Sequence, residues 1–239
     1  MTLKDQVMQA LVAHDNYMLI LKGLGNTILI TVIAAIIGIV LGVVCGIFRA
    51  SYDKNQERLK RRGGAGYYLM ALLNFFIKLY VTVIRGTPTV IQLMIAYFLI
   101  FASAQNGIPV AIFAFGLNSG AYVSEIIRGG VMSVDEGQFE AGRSLGFSYV
   151  QTLWYVIIPQ VFKSVLPALE NEFITLFKET SIAGYVGIRD VTKAGDIIRA
   201  TTYQALVPLI LIAGIYLVLV LLLEYVGGKL ERRMRQDER

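Results

Sequence analysis

The side chains able to do chemistry in this chain are charged and amide groups set inside apolar runs. Between residues 156 and 187, Lys163, Glu170, Glu172, Lys178 and Glu179 interrupt an otherwise hydrophobic stretch that also holds Pro159 and Pro167. Asn171, Thr175 and Lys178 share one helical face at spacings of four and three, and Glu172, Leu176 and Glu179 make the adjacent stripe. An ionised group at mid-bilayer is costly, so such residues face protein or a water-filled cavity. Two chemistries fit: recognition of a polar solute at mid-depth on broken helices, or structural ion pairs between helices or with a partner subunit. A second set, Asn118, Tyr122, Glu125 and Gly129, lies on one face of the 110–128 run, and Gln92 sits in a third apolar segment.

Composition narrows what these groups can be doing. The chain has 239 residues, 56% hydrophobic and 16% charged, with mean hydropathy +0.62. Soluble domains carry roughly 25% charged residues, so a lipid bilayer is the expected surroundings. The single cysteine, Cys45, lies in an apolar run and the single histidine, His14, lies outside every span. A disulfide framework or a Cys/His metal site within one chain is thereby excluded. No nucleophile–base pair stands in the spans, so an enzyme is not expected, and no cofactor or metal is implied. The G-x-x-x-x-G-K-[ST] phosphate loop is absent, so any ATP used must be hydrolysed by another polypeptide. The charges that raise the net value to +5 are read as topology signals, with no nucleic-acid partner.

The elements that must position these groups can be counted. Residues 1–22 mix apolar Leu3, Val7, Ala10 and Leu11 with Lys4, Asp5, His14 and Asp15, the pattern of an interfacial helix, and no cleavable leader is expected. Residues 23–48 suffice to cross the hydrocarbon. Their Gly38, Gly42 and Gly46, one every four residues, form a groove for close helix approach. Arg49, Lys54, Arg58, Lys60, Arg61 and Arg62 make 49–66 a cytoplasmic loop and put the N-terminus outside, affinity of this polybasic run for anionic lipid being the other reading. The tail with Lys229, Arg232, Arg233 and Arg235 is cytoplasmic by the same rule. An even number of crossings must separate the two. Runs 110–128, 156–187 and 205–228 supply three, so 67–102 supplies one. That run is broken by Arg85-Gly86-Thr87-Pro88, which predicts an approach helix and then the crossing, or one long kinked helix, with Thr87 capping a helix that starts at Pro88. By parity 188–204 lies outside, although Arg189, Lys193 and Arg199 mildly oppose that placement. The fold class is an all-α integral membrane protein of about five transmembrane helices.

The soluble-looking interruption at 133–159 has its own pattern. Ser133 and Glu136 read as a capping box, Gly146 ends the short helix, and an apolar helix then runs to Pro159. Glu140, Ala141, Gly146, Val156, Ile158 and Pro159 match a family signature: Glu-Ala-Ala, three residues, Gly, nine residues, Ile-x-Leu-Pro. Gly142 departs at the third position, Val156 stands for Ile and Ile158 for Leu. Arg85-Gly86-Thr87-Pro88 followed by Val90, Ile91 and Gln92 fits the same family, as do Asn118-Ser119-Gly120-Ala121-Tyr122, Glu125 through Gly130, Asn171-Glu172-Phe173-Ile174 and Lys178-Glu179-Thr180-Ser181. From about Gly23 onward the chain resembles the permease subunits of polar amino acid ABC importers, the histidine/glutamine type.

The resemblance implies the ABC type I importer permease fold in a bacterial cytoplasmic membrane. It implies a single permease domain, 23–239, after the N-terminal segment 1–22, with a cytoplasmic coupling helix in the 133–159 loop. The implied partners are ATP-binding cassette ATPase subunits, a second permease subunit, identical or paralogous, an extracytoplasmic substrate-binding protein and the amino acid itself. Glu140, Ala141, Gly142, Gly146 and Pro159 are the expected ATPase-coupling residues. A zwitterion needs a cation for its carboxylate and an anion for its amine, which makes Lys178 and one of Glu125, Glu172 or Glu179 candidates, supported by Gln92, Asn118 and Asn171. The competing readings are an ion-gradient-driven secondary transporter, or the same architecture serving another small solute.

Overall fold

The computed structural model describes residues 2–236. Residues 237–239 of the basic tail, and the side chains of Leu3, His14, Arg62 and Arg235 named above, lie outside the described residues. Helices make up the fold: α1 (Leu3–Val12), α2 (Asn16–Arg62), α3 (Ala65–Arg85), α4 (Thr89–Ile95), α5 (Gly107–Ser133), α6 (Glu136–Ser144), α7 (Tyr149–Thr152), α8 (Ile158–Glu179), α9 (Val191–Thr202) and α10 (Val207–Gln236). No strand occurs among the described residues. Five of the stretches are long and apolar enough to cross a membrane, as the charge parity requires.

Two of the expected boundaries are corrected. The basic segment 49–66 is not a loop for most of its length: α2 continues through it to Arg62, 47 residues in all. At 1.5 Å per residue that is about 70 Å, far more than the hydrocarbon needs. Alternating arginine and lysine with Glu57 on a helix that has left the bilayer is good helix chemistry, and nothing breaks it until Gly63 and Gly64 turn the chain at positive φ. In 67–102 the crossing is the first half. The 21-residue α3 is the span, whereas Thr89–Ile100, α4 with a π turn at Ala96–Ile100, is 12 residues and about 18 Å, too short to cross. The break falls where expected, but Pro88 rather than Thr87 is the N-cap of α4, and its carbonyl accepts from the Ile91 and Gln92 amides.

The packing divides into two compact units. One takes the chain up to Ile36, Thr87–Gly116 and Phe173–Val226; the other takes Ile37–Gly86, Leu117–Glu172 and the chain from Gly227. In the first, Ile30, Leu93, Phe115, Leu176 and Val186 share one apolar core, and Ala10 of α1 joins a second with Ala194, Ile198 and Ile212. There α2 is tied to the start of α9: Asn26 Nδ2 donates to the Arg189 carbonyl at 2.9 Å, and the Val191 amide to Thr27 Oγ1 at 3.3 Å. Asp190, fully buried, caps α9 by accepting from the Thr192 and Lys193 amides. Burial lifts its carboxyl above the usual range, and those amides oppose the lift.

The second unit is built on the glycine groove. A β-carbon at Gly38 would stand 2.8 Å from Ser119 Cβ, one at Gly42 would stand 2.5 Å from Val123 Cβ, and one at Gly46 would stand 2.6 Å from the Ser124 carbonyl oxygen. Glycines four apart on α2 therefore face Ser119, Val123 and Ile127, also four apart, on α5. The two backbones meet at a distance no side chain allows. Beyond that seam Val123, Ile127, Val131, Phe139, Leu153 and Val161 form the unit's apolar core.

Candidate functional site

The segment 133–159 is held by its buried face and shows its charged one. Ser133 does not open α6; it ends α5, donating to the Gly130 carbonyl at 2.9 Å. Asp135 caps α6 instead, accepting from the Gly137 amide at 2.6 Å. An aspartate immediately before the first helical residue outcompetes a serine three places away. Gly146 stops the helix as expected, at φ +82° with its amide on the Arg143 carbonyl. Phe139 and Gly142, three apart, are buried, whereas Glu140, Ala141, Arg143 and Ser144 are exposed.

Three contacts fasten the buried face. The Phe139 ring stacks on Tyr149 of α7 at 5.5 Å and 13°. Lys54 Nζ of α2 sits 4.7 Å above the same ring and donates to the Val134 carbonyl at 3.3 Å. Gly142 packs so tightly on Thr152 that a β-carbon there would lie 2.5 Å from both Thr152 Cγ2 and Oγ1. Glu136, Glu140, Lys54, Arg58 and Arg143 rim a pocket of about 160 Å³ beside it. Pro159 follows a π turn at Leu153–Ile157 and stays within the helical run, because the widened turn relieves the crowding its ring would impose on the Tyr155 carbonyl.

One turn past the glycine seam, α2 and α5 are locked by charge. Arg49 Nη1 pairs with Glu125 Oε1, and Arg128 donates to Glu125 Oε2 through Nη2 at 2.9 Å and Nε at 3.2 Å. Arg128 also reaches Asp53 at 3.6 Å. Arg85, at the end of α3, lies 4.0 Å from Glu125 and stacks over Tyr122 at 5.1 Å. Arg49 is 9% exposed and answered by Glu125, whereas Arg85 at the edge of the cluster keeps much of its side chain accessible.

The remaining membrane-depth candidates are placed separately. Asn118 is buried at 2% exposure, Glu172 is half-buried and accepts from Ser119 Oγ at 3.0 Å, and Asn171 is exposed. These three and Glu125 belong to one unit; Gln92, Lys178 and Glu179 belong to the other. Gln92 folds back on the helix break, its Nε2 donating to the Thr87 carbonyl at 3.0 Å and to Thr87 Oγ1 at 2.8 Å. Glu179 hydrogen-bonds the Thr89 side chain, and Lys178 is exposed on the neighbouring face.

Residues 64–236 match the family described as the binding-protein-dependent transport system inner membrane component. The chain belongs to that family. Among its relatives in this permease family are the arginine transport system permease protein of Bacillus subtilis and the glutamine transport system permease protein of Escherichia coli. The first is 43% identical over 162 residues, 66% of this chain and 74% of that protein; the second is 37% identical over 169 residues, 69% and 77%. The crystal structure of an amino acid ABC transporter with histidines superposes with a TM-score of 0.76 at 36% identity, covering 90% of this chain and 94% of the other. A methionine ABC transporter in an inward-facing conformation, 19% identical, shares the fold at the same score over 93% and 99%. The all-α permease fold of type I importers and a multi-pass membrane location are thus the chain's own.

Several residues that shape this permease's sites escape the sequence reading. Arg49 and Lys54 count there only as topology charges and Asp53 is not singled out, yet Arg49 and Asp53 extend the Gly38–Gly42–Gly46 stripe by further turns. That continuity is the signal that could have found them. Ser119, Tyr149 and Thr152 carry none, being contact partners that only the packing defines.

Proposed function

We propose that the chain is the permease subunit of an ATP-binding cassette importer that moves a polar amino acid across a bacterial cytoplasmic membrane by alternating access, driven by separate ATPase subunits. The observation that carries this reading is the construction of α6: a capped helix, fastened to α2 and α7 by Phe139, Lys54 and Thr152, that offers Glu140 and Ala141 outward. A helix held this way moves as a rigid body with the elements beneath it. Docked in a cleft of the ATPase, it passes closure of the nucleotide sites into α5 and α8, because its position differs between nucleotide states. Glu140 pairs with a basic group or caps amides of the ATPase, while Ala141 and Gly142 permit close approach and Gly146 and Pro159 set the exit of the chain.

In this reading the N-terminus is outside, the C-terminus and α6 are cytoplasmic, and a second permease subunit and an extracytoplasmic binding protein complete the assembly. Lys178 holds the substrate carboxylate. Glu179, in the same unit, holds the amine with Gln92 as a neutral support, whereas Glu125 is already surrounded by three guanidinium groups. The amino acid named by relatives and by the superposed transporter supports this substrate class. The test is Glu140→Lys in the expressed complex. Juxtaposed like charges at an interface cost several kcal/mol, so uptake falls on the order of a hundredfold. Uptake at the unmutated level defeats the coupling role.

A further inference from the structure

We propose that a groove beside the coupling segment is a binding site for an anionic phospholipid. The groove, about 640 Å³, lies wholly within the second unit, where the charged end of α2, the start of α3 and the α6–α7 connection converge. Phe48, Leu59, Met70 and Trp154 give it an apolar floor, and Arg58 and Arg143 stand at its rim. Its size lies in the range of sites that enclose small ligands.

Charge and depth identify the occupant. No carboxylate lines the groove among the described residues, and Arg143 has only a loose surface pair with Glu140 at 3.9 Å. Two guanidinium groups above an apolar floor suit a ligand that is anionic at one end and hydrocarbon at the other. The level is that of the membrane–water boundary. Phe48 ends the apolar part of α2, Arg49 begins its charged part, and Tyr52, Tyr149 and Trp154 are the aromatics that favour that depth. In this arrangement phosphate oxygens sit on Arg58 and Arg143 and an acyl chain lies against Trp154. Each basic group near an anionic surface strengthens attachment about fivefold.

The inference rests on the bilayer-spanning helices and not on the transport mechanism, so a change in lipid binding with unaltered uptake, or the reverse, separates the two. Trp154 is the chain's only tryptophan. The complex with its ATPase is placed in nanodiscs containing phosphatidylglycerol or phosphatidylcholine brominated on the acyl chain, and the quenching absent from a Trp154→Phe complex is assigned to this groove. Brominated phosphatidylglycerol is expected to quench at about a fivefold lower mole fraction than brominated phosphatidylcholine. Arg58→Gln and Arg143→Gln each reduce that preference, and Arg58→Lys retains most of it in a complex that elutes normally. Equal quenching by both lipids overturns the proposal, leaving general lipid contact. Absence of quenching overturns it in favour of a protein partner covering the groove. Abolition of the preference by soluble glycerol phosphate overturns it in favour of a free phosphate site.

Discussion

Helices α5 and α8 carry the same kinds of charged residue inside apolar runs and treat them in opposite ways. On α5, Glu125 is met by Arg49 across a glycine seam, by Arg128 of its own helix and by Arg85 of α3, and Arg128 in turn by Asp53. On α8, Lys163, Asn171 and Lys178 are exposed along the helix, and Glu172 accepts from the Ser119 hydroxyl. A charge in a membrane helix is thus a fastening when a neighbour approaches closely with the opposite sign.

That contrast can be broken at its foundation first. Gly42→Leu places a branched side chain where even a β-carbon would overlap Val123. It costs about 3 kcal/mol, the upper end for overpacking, and is expected to abolish recovery of the assembled complex by size exclusion. Glu125→Gln leaves Arg49 without its anion and Arg128 with Asp53 alone, and should lower the thermal midpoint of the complex, at a cost on the order of 3 kcal/mol. The double change Arg49→Met with Glu125→Leu should restore much of it. Lys178→Met sharpens the contrast from the other side: uptake is lost while the thermal midpoint stays within about 0.5 kcal/mol of wild type, as for a surface substitution. Loss of assembly in that variant would place Lys178 with the fastenings.

The smallest effect concerns Asp190, a carboxyl held at a helix start by backbone amides and the Thr192 side chain. Its folded carboxyl titrates above the ordinary value near 3.8 because burial disfavours the anion. Stability from the neutral form is complete below that value and declines as pH rises through the raised folded value. Asp190→Asn keeps the cap, so it should flatten that decline with a change of only a few tenths of a kcal/mol at acid pH, read as the slope of thermal midpoint against pH.

The parts set by period and composition could be read from the sequence. The five crossings follow from charge parity, the seam from glycines four apart, and the end of α6 from Gly146. The parts set by competition between neighbours could not. Whether 65–85 or 88–102 crosses depends on where an apolar run stops being helical, and a π turn at Ala96–Ile100 leaves no trace in hydrophobic pattern. The cap of α6 passed to Asp135 because two good capping residues stood close together. Glu125 has the same residue type and apolar setting as Glu172, and only the third dimension sets three arginines around the first.

The contact between Gly142 and Thr152 makes those two positions a single heritable trait. A variant with alanine at 142 must shrink residue 152 or tilt α6, so the pair should change together. Anyone grafting this loop onto another carrier would have to transplant both residues or neither.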